Sequence, residues 1–179
     1  SIGVVIWNPK YDEAEDLLRA ADTAMYQAKE AGRGCYRIFD EEMHDSVTRT
    51  LRAETELRVA IRERSFSMSY QPIADLKTGR VTTCEALLRW THPVRGNVPP
   101  SVFIPVAEET GLIIAIGEWA LNRACVEAAT WPHGVKVAVN LSPVQFRERG
   151  LTLQVVSALA KSGLHAQRLE LEVTERVLL

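Results

Sequence analysis

The sequence has little cysteine, which removes several classes of protein from consideration. Three cysteines occur in 179 residues, at Cys35, Cys84 and Cys125. Their odd number, their wide spacing and the absence of a C-x-x-C pair argue against a disulfide framework and against a cysteine-rich zinc site. A reducing compartment fits this usage best. We therefore expect a cytoplasmic location, within a parent protein that a further N-terminal region could tether to a membrane.

Long apolar runs and a strong net charge are also missing. No run approaches the ~18 apolar residues that would predict a transmembrane helix, and no cleavable signal pattern opens the sequence. The formal net charge is -2, which argues against a general binder of nucleic-acid polymers or anionic membranes. Binding of an anionic ligand would have to depend on a few basic side chains at specific positions. The sequence begins and ends in apolar stretches, "SIGVVIW" and "ERVLL", so we expect a piece of a longer protein.

The sequence pattern of residues 1–40 predicts a strand, a helix and a second strand. Apolar residues recur at helical spacing through "YDEAEDLLRAADTAMYQAKEAGRG", Asp12 with Glu15 resembles a capping box, and Gly32 and Gly34 supply a stop. Residues 41–64 lack Gly and Pro and alternate in charge, which predicts a linker helix. A solvated amphipathic helix is favoured there over a dimerising coiled coil, because too few heptads are present.

Residues 66–179 alternate between strand and helix patterns. "FSMSYQPI" and "RVTTCEALLRW" flank a "KTG" turn and predict an antiparallel hairpin. The pattern then predicts a loop, followed by helices from about residue 101 to 131 that are interrupted at Gly111 and Gly117. "VKVAVNLS" predicts a strand, and Ser142 with Pro143 predicts the start of a helix ending near Gly163. "RLELEVTE" is the last strand. This order predicts an α/β fold, either an open doubly wound sheet or about half of a barrel.

Glu85 stands inside the apolar and β-branched run "VTTCEALLRW". Its neighbours are good helix formers, and Glu85 with Arg89 would be a favourable i,i+4 pair on a helix. The preceding Val-Thr-Thr, the following Trp90 and the hairpin geometry favour a strand instead. On a strand, Glu85 and Arg89 share one face and lie roughly 13 Å apart, too far for one salt bridge.

Oxygen-bearing side chains occur near the C-terminal end of each strand expected to be parallel. Alternation along the strands separates Asn140 from its valine neighbours, and Glu172 from Leu171 and Val173. Together with Glu85, these residues could converge on one hard cation, because such oxygen ligands suit Mg²⁺ or Mn²⁺. The alternative is that each is merely an exposed polar position on a half-buried strand.

Six motifs occur in a fixed order: "YQPI", "EALLRW", "HPVRG", "FIPVAEETGLI", "VNLSPVQF" and "LELEVTE". Together they resemble the first half of an EAL domain, a bacterial phosphodiesterase that opens cyclic di-GMP. They lie between about residues 51 and 179. Near the start of the sequence, "SIGV" and "ADTAMYQAKEAGRG" resemble the C-terminal end of a GGDEF, or diguanylate cyclase, domain. The expected order is therefore a GGDEF fragment at 1–40, a linker helix at 41–64 and half an EAL domain at 51–179.

The resemblance implies a partial (β/α)₈ TIM-like barrel whose first strand is antiparallel to the rest. It also implies a set of site residues. Glu85, Asn140 and Glu172 would bind the metal, and Glu175 would steady a loop over the site. Gln71 and Arg89 would contact the ligand, Arg89 at a phosphate. In the GGDEF fragment, Lys29 and Arg33 match positions that hold nucleotide phosphates, although cations at a helix C-terminus are often only caps.

The implied reaction is metal-dependent hydrolysis of cyclic di-GMP to linear pGpG, in the parent protein. The family's second half supplies further metal ligands, so we expect this chain by itself to be inactive. An EAL-type module that binds cyclic di-GMP without cleaving it, and cyclase activity from the upstream domain, are the alternatives. A homodimer through the EAL domain or the linker helix is also left open.

Overall fold

A computed structural model describes residues 1–8, 13–132 and 134–173, with the backbone alone for residues 30 and 41–50. The chain divides into two compact units, residues 1–53 and 54–179. Within the described residues, no helix is long and apolar enough to cross a bilayer.

The first unit contains the strand, helix and strand that the sequence predicts. Strands β1 (Ile2–Val4) and β2 (Tyr36–Ile38) pair in parallel, and helix α1 (Ala14–Glu30) connects them. Gly3 is required for this packing, because a Cβ there would lie 2.0 Å from the Ala21 carbonyl oxygen of α1. Asp12, predicted to cap α1, lies outside the described residues.

The second unit begins inside the linker helix and continues through a sheet with helices on one face. Helix α2 confirms the predicted linker helix, and strand β4 contains Glu85, as the strand interpretation requires. The elements are α2 (Glu41–Arg62), β3 (Phe66–Ala74), β4 (Val81–His92), β5 (Gly96–Val98), α3 (Pro100–Glu109), α4 (Ile113–Ala129), β6 (Lys136–Leu141), α5 (Pro143–Phe146), α6 (Leu151–Ser162) and β7 (Leu169–Val173).

The sheet has the order β3-β4-β6-β7, and β5 pairs with the end of β4. The β3–β4 pair is antiparallel, whereas β4–β6 and β6–β7 are parallel. This is the strand arrangement expected for part of a barrel with an antiparallel first strand. Among the strands of the described residues, the sheet does not close on itself, which confirms the predicted partial barrel.

The core lies between the sheet and the helices. Trp90, which is 2% exposed, packs edge-on against Phe103 of α3 and close to Phe66 of β3. Further along the sheet, Tyr70 makes a T-shaped contact with Trp131. Burial is the main cause that raises the Tyr70 pKa to about 12, so this hydroxyl stays neutral within the core. On β4, Ala86, Leu88 and Trp90 pack into this core and face the helices.

The end of α2 is held against the sheet by charge as well as by apolar packing. Glu56 pairs with Arg95 in the turn after β4 and lies 3.7 Å from His92 Nε2. Arg95 also lies over the Trp90 ring, 5.6 Å from its centroid. These contacts join the linker helix to the strand that carries Glu85.

Three local predictions were wrong. Gly117 does not interrupt a helix: it lies inside α4, and only Gly111, with a φ of 72°, separates α3 from α4. The helix that begins after Ser142 ends at Phe146, and a separate helix runs to Ser162. The predicted loop after Trp90 contains β5. Packing against neighbouring elements outweighs glycine's weak helix propensity at Gly117.

The predicted hairpin turn is organised by Asp75. Its Oδ1 accepts hydrogen bonds from the backbone N–H groups of Lys77 and Thr78 and from the Thr78 hydroxyl. The bonds from Thr78, led by its backbone N–H, lower the Asp75 pKa below its ordinary value of 3.8. The carboxylate therefore fixes the turn that aligns β3 with β4.

We expect Leu57→Ala to lower the free energy of unfolding by about 2–5 kcal/mol. Leu57 is fully buried in the core around Trp90, so truncation would leave a cavity. Urea unfolding measures the loss. Leu153→Ala is the matched control, because Leu153 is largely exposed on α6 and its truncation should cost little. Equal losses in the two variants would contradict this account of the core.

We expect Thr78→Val to raise the Asp75 pKa towards 3.8, because the variant loses the hydroxyl bond and keeps the backbone bonds. A depressed folded-state pKa stabilises the turn above the unfolded-state pKa, and this stabilisation is lost as the pH falls through the folded-state value. An NMR titration of the Asp75 carboxyl measures the change. Thr82→Val, on the same hairpin but away from Asp75, should leave the titration unchanged.

Candidate functional site

The face of the sheet turned away from the helices carries the predicted site residues. Gln71 of β3 lies directly opposite Glu85 of β4 in the antiparallel ladder. On the parallel side, Glu85 aligns with Ala138 of β6, and Asn140 aligns with Glu172 of β7. Aligned residues point to the same side of a sheet. The alternation seen in the sequence therefore places these side chains on one surface.

Glu85 and Asn140 are in direct contact. The Asn140 Nδ2 donates a hydrogen bond of 2.8 Å to Glu85 Oε1. Glu85 is half-buried and Asn140 is exposed. Because the amide nitrogen is used in this bond, Asn140 Oδ1 is the atom left to face a ligand. The small, buried Ala138 lies beside Glu85 and leaves space for this contact.

Glu172 extends the row to the next strand. It is exposed on β7, two residues beyond Glu170, which aligns with Ala138. With neighbouring strands roughly 4.8 Å apart and a two-residue offset of about 7 Å along the strands, the Cα atoms of Glu172 and Glu85 are about 12 Å apart, with Asn140 between them. A cation held by all three would require the carboxylates to lean towards Asn140.

The donor set suits a hard divalent cation. It consists of two carboxylates and an amide oxygen, without sulfur or imidazole, which are ligands of the kind that Mg²⁺ and Mn²⁺ prefer. Within the described ranges, no three His, Cys, Asp or Glu residues cluster closely enough to hold a metal by themselves. The three residues thus fit a metal as part of its coordination shell.

A second carboxylate on β7 is already paired. Lys136 Nζ donates to Glu170 Oε1 at 2.6 Å, on the same face of the sheet and nearer the N-terminal ends of β6 and β7. The two side chains are nearly half-exposed, so the pair contributes little to stability. Glu170 and Glu172 therefore share a strand and a face but have different surroundings.

Arg89 lies on the same face of β4 as Glu85, four residues further along the strand. Its side chain is half-buried, and its Nη1 donates to the Leu88 carbonyl oxygen at 3.0 Å. Within the part of the chain that the structure describes, Arg89 forms no ion pair with Glu85, in agreement with the strand geometry. The guanidinium retains further N–H groups for a ligand.

A cleft of about 680 Å³ opens beside Arg89 and Asn140. Pairing between β4 and β6 stops at Ala86 and Val139, so the strands separate where the cleft begins. Helices α3 and α4 supply most of the remaining wall. The residues that line the cleft lie on one face of each helix, because they are spaced by three or four positions. They are Pro100, Ile104 and Glu108 on α3, and Ile113, Ile116, Gly117 and Ala120 on α4.

Two polar residues in the wall were missed by the sequence analysis. Glu108, which no sequence pattern singled out, is half-buried and lines the cleft. Glu108 lies four residues after Ile104, and this helical spacing could have shown that both side chains face the same way. Gln145 is 4% exposed and completes a capping box with Ser142 at the start of α5. The S-x-x-Q pattern could have identified that cap, and the cap predicted at Ser142 is confirmed.

The other predicted residues lie elsewhere. Glu175 is outside the described residues. Lys29 and Arg33 belong to the first unit and are exposed, Lys29 in the last turn of α1 and Arg33 just after it. Arg33 has a φ of 64°, and its backbone N–H donates to the Ala28 carbonyl oxygen. Both therefore occupy a helix C-terminus, where a basic side chain also complements the helix dipole.

Comparisons with known proteins agree with the two-part organisation. The family model for the EAL domain matches residues 54–179, and that for the diguanylate cyclase, GGDEF domain, matches residues 1–35. An uncharacterized signaling protein of Caulobacter vibrioides is 46% identical over 99% of this chain and 22% of its own length. The chain thus spans about a quarter of the length of the curated relatives that it matches.

Two further similarities concern one Pseudomonas aeruginosa protein. The bifunctional diguanylate cyclase/cyclic di-GMP phosphodiesterase MucR is 40% identical over 98% of this chain and 26% of its own length. The solved MucR phosphodiesterase in complex with c-di-GMP has a TM-score of 0.67 and 42% identity, covering 69% of this chain and 52% of that one. Residues 54–179 account for most of the sequence given, and the chain belongs to the EAL domain family.

Proposed function

We propose that residues 54–179 form the metal-binding half of a cyclic di-GMP phosphodiesterase. The observation that carries this proposal is the row of Glu85, Asn140 and Glu172 on three neighbouring strands, beside a cleft. The reaction is hydrolysis of one phosphodiester bond of cyclic di-GMP, which yields linear pGpG. MucR, a relative named as a cyclic di-GMP phosphodiesterase, supports the assignment of the substrate.

Arg89 and Gln71 are the proposed ligand contacts. Arg89 lines the cleft four residues beyond Glu85, where its guanidinium can pair with a phosphate through two N–H donors. Gln71 is exposed directly opposite Glu85, so its amide faces the same surface. The largely apolar cleft beside Arg89 has room for a purine base, and stacking and burial of the base would contribute to binding.

Glu85, Asn140 and Glu172 would hold a divalent cation, and Mg²⁺ or Mn²⁺ is proposed. When bound, the cation would neutralise phosphate charge and lower the pKa of a water molecule. The protein's own contribution is orientation. The Asn140 amide holds the Glu85 carboxylate in place, and Arg89 positions a phosphate beside the row. Glu175, three residues beyond Glu172, is proposed, from the EAL resemblance, to steady a loop over the site.

The proposed domain order is a GGDEF fragment at residues 1–40, a linker helix at 41–64 and an EAL half at 51–179. The match of the two family models to the two ends of the chain supports this order. In the first part, Lys29 and Arg33 are proposed phosphate contacts of a nucleotide, because they match such positions in the GGDEF resemblance and both are exposed.

We expect Glu172→Gln to reduce cyclic di-GMP turnover roughly 100-fold or more, because loss of a ligand removes several kcal/mol of metal-assisted stabilisation. The measurement is chromatographic detection of pGpG, using a protein that contains this chain together with the rest of an EAL domain. Glu170→Gln is the matched control on the same face of β7, since it breaks only the pair with Lys136. Equal losses in both variants would contradict the metal assignment.

We expect a chelator to abolish turnover in the same protein, and added Mg²⁺ or Mn²⁺ to restore it. The Glu172→Gln variant should need a higher metal concentration for half-maximal recovery, because one oxygen ligand has been lost. Turnover measured across a metal titration tests both statements. Full activity in the presence of the chelator would rule out the proposed role of the cation.

A further inference from the structure

Gln145 is a buried polar side chain in the wall of the cleft, and the proposed metal and phosphate contacts do not use it. It is 4% exposed, and Thr83 is the other buried polar residue among those described. Most of the surrounding wall is apolar, including Leu88, Ile104 and Ile116. A buried amide in such surroundings is costly unless its polar atoms are hydrogen-bonded.

The capping box determines which way the Gln145 amide points. Its side-chain oxygen accepts a hydrogen bond of 3.2 Å from the Ser142 backbone N–H, and its own backbone N–H donates to Ser142 Oγ at 3.3 Å. An atom that accepts from an N–H must be the oxygen, so the other terminal atom is the nitrogen with its two N–H donors. The side chain is therefore anchored at one end by its cap.

The nitrogen lies against Gly117 of α4. A Cβ built on Gly117 would be 1.9 Å from Gln145 Nε2, so the amide occupies the space that a larger residue would fill. Gly117 and Gln145 both line the cleft. Among the described residues, none accepts a hydrogen bond from Nε2. The structure thus presents a rigid, unused pair of donors beside the cavity.

We propose that Gln145 is a specificity-determining residue, whose Nε2 donates to acceptor atoms on a purine base in this cleft. The proposal rests on the proposed function, since cyclic di-GMP supplies that base. Guanine presents two adjacent acceptors, O6 and N7, whereas adenine presents an amino donor beside N7. Because Gln145 Oε1 is directed to the Ser142 N–H, the amide offers donors and favours guanine.

The test is Gln145→Glu in a protein that contains this chain and the remainder of an EAL domain. Glutamate also closes capping boxes, so the cap is retained while the donors are lost. We expect the KM for cyclic di-GMP to rise about tenfold or more, with a smaller change in kcat. The ratio of kcat/KM for cyclic di-GMP over cyclic di-AMP should fall by a similar factor.

Two further variants separate recognition from capping. Ser142→Ala removes the hydroxyl acceptor of the cap and leaves the Gln145 amide in place, so it should lower the melting temperature and keep the guanine preference. Gln145→Met removes the donors without adding a buried charge. It should lose the guanine preference even if the Gln145→Glu variant does not fold.

The outcomes distinguish this inference from the function on which it rests. Loss of guanine preference in the Gln145 variants, and its retention in Ser142→Ala, supports the inference. Unchanged preference in a folded Gln145 variant overturns it and leaves the phosphodiesterase assignment standing. A wild-type protein that neither binds nor cleaves cyclic di-GMP overturns both. Binding without cleavage, with the guanine preference lost in the Gln145 variants, supports the inference and rejects the enzymatic function.

Discussion

The register of strand β4 is the constraint on which the rest of the second unit depends. β4 pairs with β3 on one side and with β6 on the other, and its even-numbered residues Ala86 and Trp90 are buried against the helices. Slipping by one residue would turn Glu85 into the core and Trp90 out of it. The free energy of burying the apolar face thus holds the polar row on the opposite face.

The same strand creates both parts of the candidate site. Where β4 and β6 are paired, up to Ala86 and Val139, they present Glu85 on a continuous surface. Beyond that point the strands separate, and Leu87 and Asn140 border the cleft. Helices α3 and α4 close the back of this opening with apolar side chains. The polar row and the apolar cleft therefore meet where the hydrogen-bonded pairing between β4 and β6 ends.

Residues on strands were easier to predict than residues on helices or loops. Side chains alternate between the two faces of a strand, so the sequence separated Glu85, Asn140 and Glu172 from the apolar face of each strand. Helix positions depend on partners far along the chain. Gly117 looked like a helix break but lies inside α4, because the Gln145 amide packs in the space that its missing side chain leaves.

Alternation, turn residues and capping patterns act over a few residues, so they were enough to predict the main strands and helices and the two faces of the sheet, and ordered motifs were enough to carry the family resemblance. Contacts between particular polar atoms, in contrast, depend on residues that are far apart in the sequence. The 2.8 Å bond from Asn140 to Glu85 spans 55 positions, and the contact between Gln145 and Gly117 joins two separate helices. Such contacts follow from strand pairing and helix packing, which bring together residues that no local pattern relates.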